Sequence, residues 1–145
     1  MEVSIENGDG STGEGIKFSR CLVLHDDPSG SGDRPPWNLE ERVSVFGEKI
    51  VLFSKEIPRD PTNNRLITQL VGAGTSVGAN YCEANEAVSK KDFRHSVSRS
   101  MKEAKETKFF LRMIVASEPQ LAGQARPLYR EAHELLRILG SMRHK

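Results

Sequence analysis

Residues 71–84 read VGAGTSVGANYCEA, with three glycines among the eight residues from Gly72 to Ala79. Such a density of small residues belongs either around a phosphate or where two helix backbones approach closely. The first reading leads to a nucleotide enzyme, the second to a helical bundle acting through its surface. A dinucleotide fingerprint needs G-x-G-x-x-G between a strand and a helix, because the glycines make the tight turn and admit phosphate to the helix N-terminus. Gly72 and Gly74 fit, but Val77 holds the third position and Gly78 comes one residue late. A Walker A loop fails too, since no Gly-Lys-Ser/Thr follows and no buried strand precedes. Leu66, Leu70, Ala73, Val77, Asn80 or Tyr81, and Ala84 instead carry a helical period straight through the stretch. Each glycine inside a helix costs about 1 kcal/mol relative to alanine, and close packing along Gly74-x-x-x-Gly78 is the compensation. That packing lies either within one bundle or between subunits.

The flanking segments repeat the rhythm. Leu39, Val43, Phe46, Ile50, Phe53 and Ile57 alternate steps of four and three, predicting a helix over 39–57. Asn38 suits its N-cap, Glu40 and Glu41 favour its positive start, and Pro58 and Pro61 stop it. Ser89 caps a third helix, with Asp92 placed to reach back; its stripe is Phe93, Val97, Met101, Ala104, the Lys108 stem, Leu111 and Val115. After Pro119, Leu121, Ala125, Leu128, Ala132, Leu135, Leu139 and Met142 keep the spacing, and Pro127 predicts that the regular helix starts near it. Four striped helices with short connections predict an all-α, antiparallel up-down-up-down four-helix bundle over residues 37–145.

Residues 1–36 are rich in Gly, Ser, Asp and Pro, a composition that predicts a flexible, disordered leader. The apolar patch FSRCLVLHD at residues 18–26 has no partner strand there. The leader is acidic, with seven Asp or Glu against three Lys or Arg, while the rest holds 18 Lys or Arg against 13 acids, net +5. A basic balance of that size admits a polyanionic partner without requiring one. No run of eighteen apolar residues could span a membrane, and residues 1–15 lack the apolar stretch of a secretory signal, so a cytoplasmic, bacterial-type protein is expected. Cys21 and Cys82 share no CxxC spacing and suggest neither a disulfide framework nor zinc.

Two surface patterns are candidate sites. Ser76, Asn80 and Glu83 fall on one flank of the second helix, as a structural hydrogen-bond network or as a contact site. Lys91, Arg94, Lys102, Lys105 and Arg112 cluster within about 80° of the third helix's circumference. That stripe is either a solvated face held by pairs such as Arg99–Glu103 and Lys102–Glu106, or a set of contacts to an RNA or DNA phosphate backbone. No aromatic-rich platform accompanies it, which leaves single-strand readout unsupported. A di-metal bundle would need paired Glu-x-x-His motifs, and only Asp92-x-x-His95 approaches one; His25, His133 and His144 show no matching spacing. No nucleophile elbow or activated cysteine appears either, so no cofactor, metal or small-molecule substrate is implied and a non-enzymatic protein is expected.

Taken together, NLEERVSVFGEKI (38–50), GTSVGANYCEA (74–84), KKDF (90–93) and KEAKETKFFL (102–111) resemble the small bacterial bundle proteins encoded in intervening sequences of 23S ribosomal RNA genes. The likeness spans residues 38–145. The family's characteristic residues fall on Gly74, Thr75, Ser76, Gly78, Asn80, Glu83, Asp92, Phe93, Lys102, Glu103, Glu106 and Thr107. Cys82 stands where arginine is common and Phe110 where tryptophan is common. The resemblance implies a ring-like homo-oligomer, typically a pentamer, with Gly74, Ser76, Gly78, Asn80, Glu83, Glu103 and Glu106 as subunit or helix contacts, and no established enzymatic activity. The chain is also similar to the accessory bundle protein of diversity-generating retroelements, which implies nucleic acid and a reverse-transcriptase-type partner.

Overall fold

The computed structural model describes residues 38–144, and four helices account for most of them: α1 Leu39–Lys55, α2 Pro61–Asn85, α3 Lys90–Ser117 and α4 Ala122–Arg143. The leader, with its 18–26 patch, and Trp37 lie outside the described residues. Each of the first three helices begins on a side-chain cap. Asn38 accepts from the Glu41 amide, Asp60 from the Asn63 amide with Pro61 at the first helical position, and Ser89 from the Asp92 amide. The Ser89 hydroxyl in turn donates to Asp92 Oδ2 at 2.7 Å, so the expected reach-back takes the form of a side-chain pair.

Helices consecutive in sequence pack side by side and α1 closes against α4, giving the up-down-up-down bundle. The predicted stripes form its core: Phe46, Ile50, Phe53, Leu70, Val77, Val97, Leu111, Leu128, Leu135 and Leu139 are essentially inaccessible. Ile57 is buried although α1 ends at Lys55, because its side chain still covers the core from the connector. Ser96, Ser100 and Thr107 of α3 are also buried, positions a hydrophobicity pattern cannot mark. Their hydroxyls need a carbonyl when buried: Ser100 Oγ donates across to the Val77 carbonyl of α2 at 2.7 Å, and Thr107 Oγ1 donates to Glu103 of its own helix at 2.8 Å.

The glycines lie mid-helix, and α1 is what they admit. A Cβ on Gly74 would stand 2.7 Å from Ile50 Cγ2 and 2.8 Å from Ile50 Cγ1. One on Gly78 would reach the Val43 carbonyl oxygen at 3.4 Å, and one on Gly47 of α1 would meet the Thr75 Cα at 3.7 Å. Gly72, two residues from Gly74, has nothing within 4 Å. Gly74 and Gly78 therefore serve packing within the chain's own bundle.

Two polar contacts fasten the ends of the bundle. Asn63, fully buried at the start of α2, donates through Nδ2 to the Pro58 carbonyl (2.9 Å) and Glu118 Oε1 (2.8 Å) and accepts from Ser117 Oγ (2.6 Å). One amide thus ties the α1–α2 connector to the end of α3. Arg42 of α1 grips Glu131 of α4 with two parallel bonds, Nε–Oε1 at 2.7 Å and Nη2–Oε2 at 2.9 Å. The bond to Glu131 is the main reason the Arg42 pKa lies above its ordinary value.

Pro127 does not mark the start of α4. A 3₁₀ turn, Pro119–Leu121, leads directly into α4 at Ala122, five residues earlier than the proline suggests. Proline in a helix removes one donor and crowds the carbonyl four residues back. Here that carbonyl belongs to Gly123, which is exposed and open on its Cβ side, so the carbonyl can turn to solvent in place of the lost donor.

Candidate nucleic-acid interface

Because Val97, Ala104, Leu111 and Ile114 turn into the core, the opposite side of α3 faces solvent. Lys91, Arg94, Lys102, Lys105 and Arg112 are all exposed on it. Of the two ion pairs expected to neutralise this helix, Lys102–Glu106 forms at 3.9 Å. Arg99 instead crosses to Glu83 of α2 at 3.5 Å, because it lies on the α2 side of α3 and away from the stripe. Among the described residues, Lys91, Arg94, Lys105 and Arg112 enter no ion pair. Phe109 stands on the same outward side, one turn from both Lys105 and Arg112, and is 53% exposed.

The fold adds a second helix to this face. On α4, Arg126, Arg130, His133 and Arg137 recur at steps of four, three and four, all exposed. Lys108 of α3 bridges the seam: its Nζ lies 3.2 Å from His133 Nδ1 and 5.0 Å from the centre of the Tyr129 ring. Beyond Tyr129 the seam opens into a groove of about 440 Å³, with Leu111, Val115, Ala122 and Ala125 as its floor and Arg112 and Arg126 on opposite helices beside it. At the other end of the helix pair, Arg94, His95, Arg143 and His144 line a further depression. Arg137 is the α4 cation held by an acid, Glu134, at 2.9 Å. Sequence reasoning found the α3 half of the face and missed the α4 half. The spacing of Arg126, Arg130 and His133 was visible, but which flank of α4 meets α3 is set by packing.

The polar flank of α2 has a different character. Asn80 is buried and donates to the Ser76 carbonyl of its own helix at 2.9 Å, while Ser76 is half-buried and Glu83 exposed. Glu103 and Glu106 lie half-buried on α3. The Glu103 carboxyl is pushed above its ordinary pKa, first by burial and then by the neighbouring Glu106 charge, against the pull of Lys102 and Arg99. A carboxyl that binds its proton more tightly when folded favours the native state at acid pH and loses that contribution as pH rises through the raised folded value. Glu103→Gln is therefore expected to raise the urea midpoint at neutral pH, with the advantage over the parent chain shrinking on acidification. Equal differences at both pH values would show that the charge is not the cause.

Neither the cysteine nor a metal cluster competes as a site among the described residues. Cys82 is half-buried and its thiol is pushed up by burial and then by Glu40 and Glu86, which keeps it protonated and unreactive at neutral pH. Among the described residues no group of three or more His, Cys, Asp or Glu could hold a metal ion. No helix among them is long and apolar enough to cross a membrane.

Fold and surface together define a small antiparallel helical bundle with one strongly basic face. The sequence profile of the 23S rRNA-intervening sequence proteins matches residues 40–141, and the chain belongs to that family. Its backbone is similar to a crystal structure from Bacteroides thetaiotaomicron, described as a protein of unknown function from the S23 ribosomal protein family. The two share 26% identity over 74% of this chain and 99% of the other, with a TM-score of 0.66. No curated protein sequence matches the chain.

Proposed function

We propose that this protein is a non-catalytic, cytoplasmic RNA-contacting bundle that engages the phosphate backbone through the outward side of α3 and the adjoining flank of α4. The observation carrying the reading is that Lys91, Arg94, Lys105 and Arg112 stand exposed on one side of α3 without ion-pair partners among the described residues, with Arg126 and Arg130 beside them on α4. Exposed cations left without internal partners repel one another, and a polyanion relieves the repulsion while releasing its own counterions. The family name points the same way, since its members take it from intervening sequences of 23S rRNA. A ribonucleoprotein such as a reverse-transcriptase-type partner offers the same chemistry. Homo-oligomerisation, pentameric by resemblance, would repeat the face around a ring; light scattering reads the subunit number.

The alternative is a homo-oligomeric protein-interaction scaffold without nucleic-acid binding, in which the Ser76, Asn80 and Glu83 flank and the small-residue face of α2 make the subunit contact. Gly74 and Gly78 of that face are packed against α1, which leaves Gly72, Thr75, Ala79 and Glu83 exposed and Ser76 half-buried. Fluorescence anisotropy with a labelled structured RNA separates the readings. Binding at low salt that weakens steeply at moderate salt is expected; absence of binding at low salt rejects the RNA reading.

A further inference from the structure

The basic face carries a feature that phosphate contact alone does not use. Phe109 projects from it with 53% of its surface exposed, although a phenyl ring has no polar atom to hold in water. It is also braced. Its ring meets Phe110 edge-on, with centroids 5.2 Å apart and planes at 83°, and Phe110 is packed against the core. At a rise of about 1.5 Å per residue, Lys105 lies about 6 Å before Phe109 along the helix and Arg112 about 4.5 Å beyond it. Cations thus bracket the ring, about 10 Å apart along the helix axis. The apolar groove between Arg112 and Arg126 opens one turn further along the same helix, with Tyr129 as a second aromatic wall.

An apolar ring flanked by unpaired cations has a shape that a regular RNA duplex cannot satisfy, because its bases are stacked on one another and its deep, narrow major groove keeps them from a convex helix. A single strand presents both a backbone and free base faces. We propose that the occupant of this face is single-stranded nucleic acid, one base stacking on Phe109 and a neighbouring base entering the groove, with Arg112 and Arg126 on the phosphate between them and Lys105 on a phosphate on the other side of Phe109. This inference rests on the RNA-contact reading. It also qualifies the expectation that no aromatic-rich platform accompanies the stripe: one ring does, and the spacing of Phe109 from Lys105 and Arg112 already places it there.

The test uses the full chain and three labelled probes of equal length, a single-stranded RNA, a single-stranded DNA and an RNA duplex, in anisotropy titrations at moderate salt. Single strands are expected to bind about tenfold more tightly than duplex. Phe109→Ala is expected to reduce single-strand affinity about tenfold and leave duplex affinity unchanged, while Phe109→Trp retains the parent's affinity. Circular dichroism checks that both variants keep the parent's helix content. Equal affinity for strand and duplex, together with an inert Phe109→Ala, overturns the stacking inference and leaves phosphate contact standing. Failure of all three probes to bind at low salt overturns both. A preference between the RNA and DNA strands reports whether the 2′-hydroxyl is read.

Discussion

Asn63→Ala is expected to lower the stability of the bundle by about 2–3 kcal/mol, and Asn63→Asp by more. Asn63 has no exposed surface, and its side chain makes three bonds that join residues distant in sequence: Pro58, Ser117 and Glu118. Alanine removes all three at a net value of about 1 kcal/mol each, partly recovered because Pro58 and Ser117 can turn to water. Aspartate is worse, since it replaces the donor 2.8 Å from Glu118 Oε1 with a second carboxylate in a buried position. Urea unfolding at neutral and acid pH checks this. The aspartate variant should recover part of its loss when protonated, and a variant as stable as the parent would show that the connectors do not depend on this amide.

The second large effect is a pair of opposite signs from the same chemical change. Gly74→Ala puts a methyl group 2.7–2.8 Å from Ile50, which is fully buried and β-branched and so has no spare rotamer. Overpacking of this kind costs about 1–3 kcal/mol and outweighs the helix propensity of about 1 kcal/mol that alanine contributes. Gly72→Ala meets nothing within 4 Å and keeps the propensity, so it should stabilise by up to about 1 kcal/mol. The midpoint of thermal unfolding is expected to fall for the first and rise for the second, by about 4 °C per kcal/mol at one fixed protein concentration. Shifts in the same direction would show that α1 does not approach α2 at Gly74 as described.

The helices and their core faces were legible because their stripes are long and regular: every predicted apolar position from Val43 to Leu139 is buried or half-buried. The glycine stretch was legible as helix, but only coordinates could assign its close approach to α1 of the same chain. Asn63 escaped notice because a polar residue at a helix start reads as surface. The start of α4 was misplaced because a proline is informative only when the carbonyl it crowds is buried, and that of Gly123 is not. Half of the basic face was legible on α3. The other half depended on how α3 and α4 rotate against each other, which packing decides.

The most direct test of the central claim is the salt dependence of RNA affinity, measured for the parent chain and for Lys105→Glu/Arg112→Glu. Both residues are exposed, so the variant should keep its fold. The plot of log affinity against log salt should fall for the parent, and the variant should bind at least about tenfold more weakly at low salt with a slope shallower by about 1.5, two phosphate contacts having been lost. The same affinity and the same slope in both proteins would contradict a nucleic-acid interface on this side of the bundle.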